Sequence, residues 1–150
     1  AILEWLEETR PEPPLLPQGA RARARVRALA LIAAADTHPL SVPRVRRALA
    51  ERFGAAEPEI EAWVRHWIAQ GAAALEGHLA RDAETGAFCH GDTPGMADIC
   101  LFSLTASAGL FRLDLSPYPV VSGIAARCAA IEAFAAAHPL RQPGAPHRGS

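Results

Sequence analysis

The sequence predicts an all-helical fold, and three observations carry the prediction. Apolar residues recur at helical spacing over residues 20–36, 58–81 and 119–134. No stretch shows sustained period-two alternation, which leaves little room for a sheet. Residues 86–95, broken by glycines, Asp92 and Pro94, hand directly into residues 96–111, which carry almost no charge before Arg112. A helix apolar on nearly every side belongs at the centre of a bundle. Its first turn reads Gly95-x-x-Asp98, which lets the Asp98 carboxylate reach back to the free N–H of the cap residue. Gly95 and Asp98 therefore take structural capping roles, and catalysis is not assigned to Asp98.

The elements follow in order. Residues 1–8 make a short amphipathic helix on Ile2, Leu3, Trp5 and Leu6. Pro11-Glu12-Pro13-Pro14 stops it, because prolines lack N–H donors and exclude helical geometry at the residues before them. Leu15-Leu16-Pro17 docks a linker. Over 20–36, Ala22, Val26, Leu29, Ile32 and Ala33 form the inner face of a long helix, with Arg21, Arg23, Arg25 and Arg27 around a solvated outer side. His38-Pro39-Leu40-Ser41 breaks the chain. A shorter helix then starts near Pro43, suited to a first turn, and ends about Phe53-Gly54. The next opens near Pro58 and sets Ile60, Trp63, Val64, Trp67, Ile68, Gly71, Leu75 and Leu79 on one stripe down to about Arg81. After the buried helix, Tyr118-Pro119 introduces a last one with Val121, Ile124, Ala125, Cys128, Ile131 and Phe134 inward. Residues 139–150 read as an irregular tail.

At 150 residues, half of them hydrophobic, the chain buries one core and is too short for two ordinary domains. Fifteen basic and sixteen acidic side chains leave a formal charge of −1, so nothing global draws it to nucleic acid or to an anionic membrane. Cys89, Cys100 and Cys128 show no C-x-x-C spacing and make no disulfide framework, and a cytoplasmic setting is expected. Cys100 and Cys128 fall on buried faces; Cys89 is expected to be the accessible thiol. His66, His78, His90, His138 and His147 lack metal-ligand spacing, and no metal is expected. No uninterrupted apolar run reaches the roughly 18 residues that span a bilayer. Helical spacing from the first residues reads as a fragment whose upstream part is missing.

The run G-D-x-P-x-x-A-D-I over 91–99 resembles the folding signature of glutathione transferase C-terminal domains. Further segments, in the right order, are similar to zeta-class glutathione transferases, the maleylacetoacetate and maleylpyruvate isomerases. They are residues 1–11, Leu15-Leu16-Pro17, Asp36-Thr37-His38-Pro39-Leu40 with Arg44-Val45, residues 88–101, Asp114-Leu115-Ser116-Pro117-Tyr118-Pro119, and the block from Ala133-Phe134 to Arg141-Gln142-Pro143. The resemblance implies a glutathione transferase C-terminal-type bundle of about five helices over 20–138. Before it stand a linker over 13–19 and, over 1–12, the last helix of a missing thioredoxin-like domain. It also implies a homodimeric, glutathione-dependent cis–trans isomerase of aromatic catabolism, in which glutathione thiolate adds reversibly to a cis double bond. The thiol-activating residues belong to the missing half, so none is assigned as catalytic here and this chain alone is expected to be inactive.

On the family's pattern, His38, Val42, Pro43 and Arg44 touch glutathione or substrate, and Leu104, Ala108, Leu110 and Phe111 line the acceptor pocket. Several positions depart from that pattern. Ser41 and Val42 stand where relatives carry two asparagines, Ser103-Leu104 replaces Pro-Gln, and Leu110 replaces an Arg placed for a substrate carboxylate. These departures keep two other readings open: a transferase conjugating glutathione to apolar electrophiles, and a non-catalytic helical interaction module. An exposed apolar face is expected where the thioredoxin-like half would sit.

Overall fold

A computed structural model describes residues 1–145, and among them no strand occurs; one isolated bridge pairs Thr85 with Gly91. Eight α-helices form: α1 (Ile2–Thr9), α2 (Ala20–Leu31), α3 (His38–Ser41), α4 (Pro43–Phe53), α5 (Glu57–Leu79), α6 (Met96–Leu110), α7 (Pro119–Ala129) and α8 (Glu132–Ala137). Helix α6 runs through the centre against α2, α5 and α7. Leu101 of α6, Val64 and Leu75 of α5, and Ile124 and Cys128 of α7 are fully buried around that axis. Each such aliphatic side chain contributes about 1.5–3 kcal/mol relative to exposure. The far end of α6 emerges, and Leu110 is 46 % exposed.

The cap forms as the spacing predicts and does more than cap. Asp98 is 2 % exposed, and its Oδ2 accepts the Gly95 N–H at 2.8 Å. Its Oδ1 accepts the Cys89 N–H at 2.9 Å, which ties the loop before α6 to the helix start. Arg25 clamps the same loop from α2, donating to Cys89 O at 2.7 Å, Asp82 at 2.9 Å and Thr85 at 2.9 Å. The linker docks there too: Met96 N–H donates to Leu15 O at 2.8 Å. On its other side, Glu7 is buried and accepts the Leu15 and Leu16 N–H groups at 2.7 and 3.2 Å.

Elsewhere the structure departs from what the sequence predicts. The arginines of α2 are not a solvated face: Arg23 reaches Glu7 at 3.2 Å, Arg25 makes the clamp, and Arg27 pairs bidentately with Glu4 at 2.6 and 2.9 Å; Arg21 remains 95 % exposed. The long helix leaves α geometry at Leu31 and continues as a π-helical turn, Ile32–Thr37, into α3. The break expected at His38 comes instead at Val42, extended with ψ 156° before Pro43. The last helix is two, because Ile131 adopts extended geometry and swings α8 so that Phe134 meets Phe102 edge-on at 5.3 Å. Within the expected tail, Pro139–Arg141 is a 3-10 turn whose Leu140 N–H is accepted by His138 at 3.2 Å. Residues 146–150, including His147, lie outside the described residues.

Cys89, expected to be accessible, is fully buried because its backbone is committed to Asp98 and Arg25. Burial and the nearby Asp98 carboxylate push its thiol far up, and Cys128 is pushed up to about 12, burial being the larger cause. Cys100 is half-buried, and burial raises it as well. A raised thiol pKa removes the reactive thiolate at neutral pH and restores it only as pH rises. In the native 150-residue chain, a thiol reagent at pH 8 is expected to label Cys100 first, at a rate still climbing above pH 9. Labelling of Cys89 at the rate of Cys100 would contradict this burial.

Gly95 gives a second test. Ser is the better N-cap by only a few tenths of a kcal/mol. A Cβ at Gly95 would stand 2.8 Å from Leu15 O, a backbone atom that also accepts Met96 N–H. Gly95→Ser is therefore expected to destabilise by about 1–3 kcal/mol in urea unfolding, and an unchanged or raised midpoint would refute the close docking of the linker.

Candidate functional site

The cavity that collects sequence-predicted site residues lies between the π turn, α3, α5 and α6 and holds about 170 Å³. Ala34, Thr37, His38 and Ser41 form one wall, Ile68 the floor, and Cys100, Ser103, Leu104 and Ser107 the opposite wall. The α6 residues share the lining because positions three and four apart lie on one helix face. The π turn brings the other wall into place. Thr37 donates from Oγ1 to Ile32 O at 2.8 Å, and His38 N–H bonds Ala33 O, both reaching five residues back. Wide turns of this kind are frequent at functional sites.

No carboxylate lines the cavity. Three of its hydroxyl donors are committed to backbone carbonyls: Thr37 as above, Ser41 to His38 O at 3.0 Å and Ser107 to Ser103 O at 3.0 Å. Among the described residues the His38 ring and the Ser103 hydroxyl have no hydrogen-bond partner, so they are the groups free to meet a ligand. A thiol, an imidazole and hydroxyls without an acid suit an anionic or polar ligand over an apolar floor. At about 170 Å³ the space falls below the 300–1,000 Å³ of ordinary ligand pockets and makes part of a site. It adjoins a groove of about 490 Å³ between α1, α2 and α6, with Ala34 and Cys100 common to both. Ile2, 76 % exposed, and Leu31, 56 % exposed, line that groove.

The structure gathers some predicted residues and not others. His38 and Leu104 line the cavity. Val42 and Pro43 sit at the α3–α4 junction outside its walls, and Arg44 is exposed on α4 with no ion pair among the described residues. Ala108 is fully buried and faces the core instead of the pocket, whereas Leu110 turns outward. Phe111 is half-buried and carries the Arg46 guanidinium 5.5 Å from its ring centroid. Thr37 and Ala34 were missed. The signal for Thr37 was its place directly before His38-Pro39.

No family model matches the chain. Individual relatives do. A maleylpyruvate isomerase of Ralstonia sp is 46 % identical over 95 % of this chain and 68 % of its own length. A probable maleylacetoacetate isomerase of Vibrio cholerae is 43 % identical over 97 % and 66 %. Among solved structures, a maleylacetoacetate isomerase of Methylobacterium extorquens AM1 with bound malonate and glutathione superposes with a TM-score of 0.94 at 49 % identity, covering 97 % of this chain and 68 % of that one. A zeta-class maleylpyruvate isomerase in its holo form gives 0.93 at 44 %, covering 97 % and 68 %. A maleylacetoacetate isomerase of Anaeromyxobacter dehalogenans 2CP-1 with bound dicarboxyethyl glutathione and citrate gives 0.88 at 46 %, covering 97 % and 64 %. The chain thus spans about two thirds of the length of these proteins. These matches cover nearly the whole chain in one fold, and on that ground the chain belongs to the zeta-class glutathione transferases, the family of the maleylacetoacetate and maleylpyruvate isomerases.

Proposed function

We propose that this chain is the helical half of a glutathione-dependent cis–trans isomerase acting on a maleyl keto acid. The observation that carries the reading is the small, acid-free cavity headed by His38, which is incomplete alone and adjoins an apolar groove. Related structures hold glutathione with malonate, and dicarboxyethyl glutathione with citrate, consistent with a site for two acidic molecules. Glutathione when bound supplies a thiol nucleophile that adds to the cis double bond and leaves again after rotation. The residues present fit such an anionic ligand: the free His38 imidazole offers a donor to a carboxylate with no acid in the cavity to oppose it, and the exposed Arg44 guanidinium on α4, outside the cavity walls, offers a second to a ligand that extends past them.

The cavity residues orient the acceptor and exclude water around it. Ile68 supplies the apolar floor, Leu104 an apolar patch of the wall, and Ser103 a hydroxyl. We assign residues 1–12 to the last helix of a thioredoxin-like half, 13–19 to the linker and 20–138 to the helical domain. The exposed Ile2, Trp5 and Leu31 support this assignment, since the absent half would cover them. The complete enzyme is read as a cytoplasmic homodimer, on the resemblance and on three cysteines without a disulfide framework.

Calorimetry of the full-length protein with glutathione tests the reading. Millimolar or tighter binding is expected, weakened about tenfold by His38→Ala and by a similar factor in Arg44→Ala, as for hydrogen bonds to charged groups. Absence of binding would replace the enzyme with a helical interaction module. Turnover of apolar electrophiles in place of maleyl keto acids would favour a conjugating transferase.

A further inference from the structure

His38 is exposed and its ring has no hydrogen-bond partner among the described residues, so its place beside the cavity is set by its backbone. That backbone is anchored to α5 on both sides of the histidine. After it, Leu40 O accepts the Trp63 indole N–H at 2.9 Å. Before it, Thr37 is 4 % exposed and lodges against Gly71, which is buried at the middle of α5. A Cβ at Gly71 would collide with the Thr37 hydroxyl and stand 3.0 Å from Thr37 Cβ and Cγ2. Only a residue without a side chain leaves room for Thr37 there.

The lodged threonine matters for phase. In an α-helix residue i+4 lies nearly over residue i, and Thr37 would stand over Ala33. In the π turn residue i+5 takes that place, and His38 N–H bonds Ala33 O while Thr37 Oγ1 bonds Ile32 O. His38 thus follows Ala33 along the face of the turn, and both line the cavity together with Ala34 and Thr37.

We infer that Gly71 is a positioning residue for His38: its missing side chain admits Thr37 against α5, Thr37 locks the widened turn, and the widened turn aims the imidazole into the cavity. The role rests on the binding function proposed for His38. Gly71 itself touches neither glutathione nor substrate.

The test uses the full-length protein, glutathione as the probe, and crystal structures of the variants. In Gly71→Ala the His38 N–H is expected on Ala34 O in place of Ala33 O, and glutathione affinity is expected to fall about tenfold, as in His38→Ala. Adding His38→Ala to Gly71→Ala then costs nothing more, because the imidazole has already left the site. Thr37→Val, which keeps the shape but loses the bond to Ile32 O, is expected to weaken binding several-fold, and Thr37→Ser to bind as the unaltered protein does; this pair serves if Gly71→Ala does not fold. His38 N–H still on Ala33 O in Gly71→Ala, losses that simply add, or equal binding by the valine and serine variants would overturn the inference. Should the unaltered protein bind no glutathione, the functional reading fails, while the crystal structures still decide whether Gly71 and Thr37 set the direction of His38.

Discussion

One buried carboxylate holds the arrangement on which the rest of this domain depends. Asp98 uses both oxygens, one on the N–H that opens α6 and one on the Cys89 N–H of the loop before it. Capping alone contributes about 1 kcal/mol. A fully desolvated carboxylate is tolerable only when its lone pairs are satisfied, so the loop has to close onto the helix for the helix to start where it does. The linker then docks on Gly95 and Met96, and the register of α6 sets Cys100, Ser103, Leu104 and Ser107 along the cavity.

A second constraint acts from the other wall. The close contact of Thr37 with Gly71 links the π turn to the core of α5, and the Trp63 bond to Leu40 O fixes the far end of α3. Between these anchors sits His38. The cavity is therefore shaped by a cap at one helix start and by the absence of a side chain at one helix middle. Neither Asp98 nor Gly71 lines the cavity, and each acts through backbone position.

Features governed by near neighbours in sequence were legible. Gly95-x-x-Asp98 is an i, i+3 relation, and Pro43 and Gly54, with φ 65°, mark the two ends of α4. The stripe on α5 was equally plain, since its buried residues from Ile60 to Leu79 repeat every three or four positions. Features governed by distant partners were not. The arginines of α2 look like a solvated row until Glu4, Glu7 and Asp82 are brought beside them. Cys89 looked accessible in a glycine-rich loop because its burial comes from Asp98 and Arg25. The π turn depends on a glycine far along the chain, so the sequence read as one long helix. Of the residues that the family pattern names, His38 and Leu104 line the cavity, whereas Ala108 faces inward and Arg44 stays apart on α4.

Denaturant unfolding of Asp98→Asn, read together with the reactivity of Cys89, tests the role of this carboxylate most directly. The amide keeps one acceptor but turns an NH₂ toward one of the two N–H groups now bound. Asp98→Asn is expected to lose about 2–3 kcal/mol of stability and to leave a Cys89 thiol that becomes reactive in the native state as the loop lifts away. An unfolding midpoint equal to that of the unaltered protein, with Cys89 still silent, would contradict it.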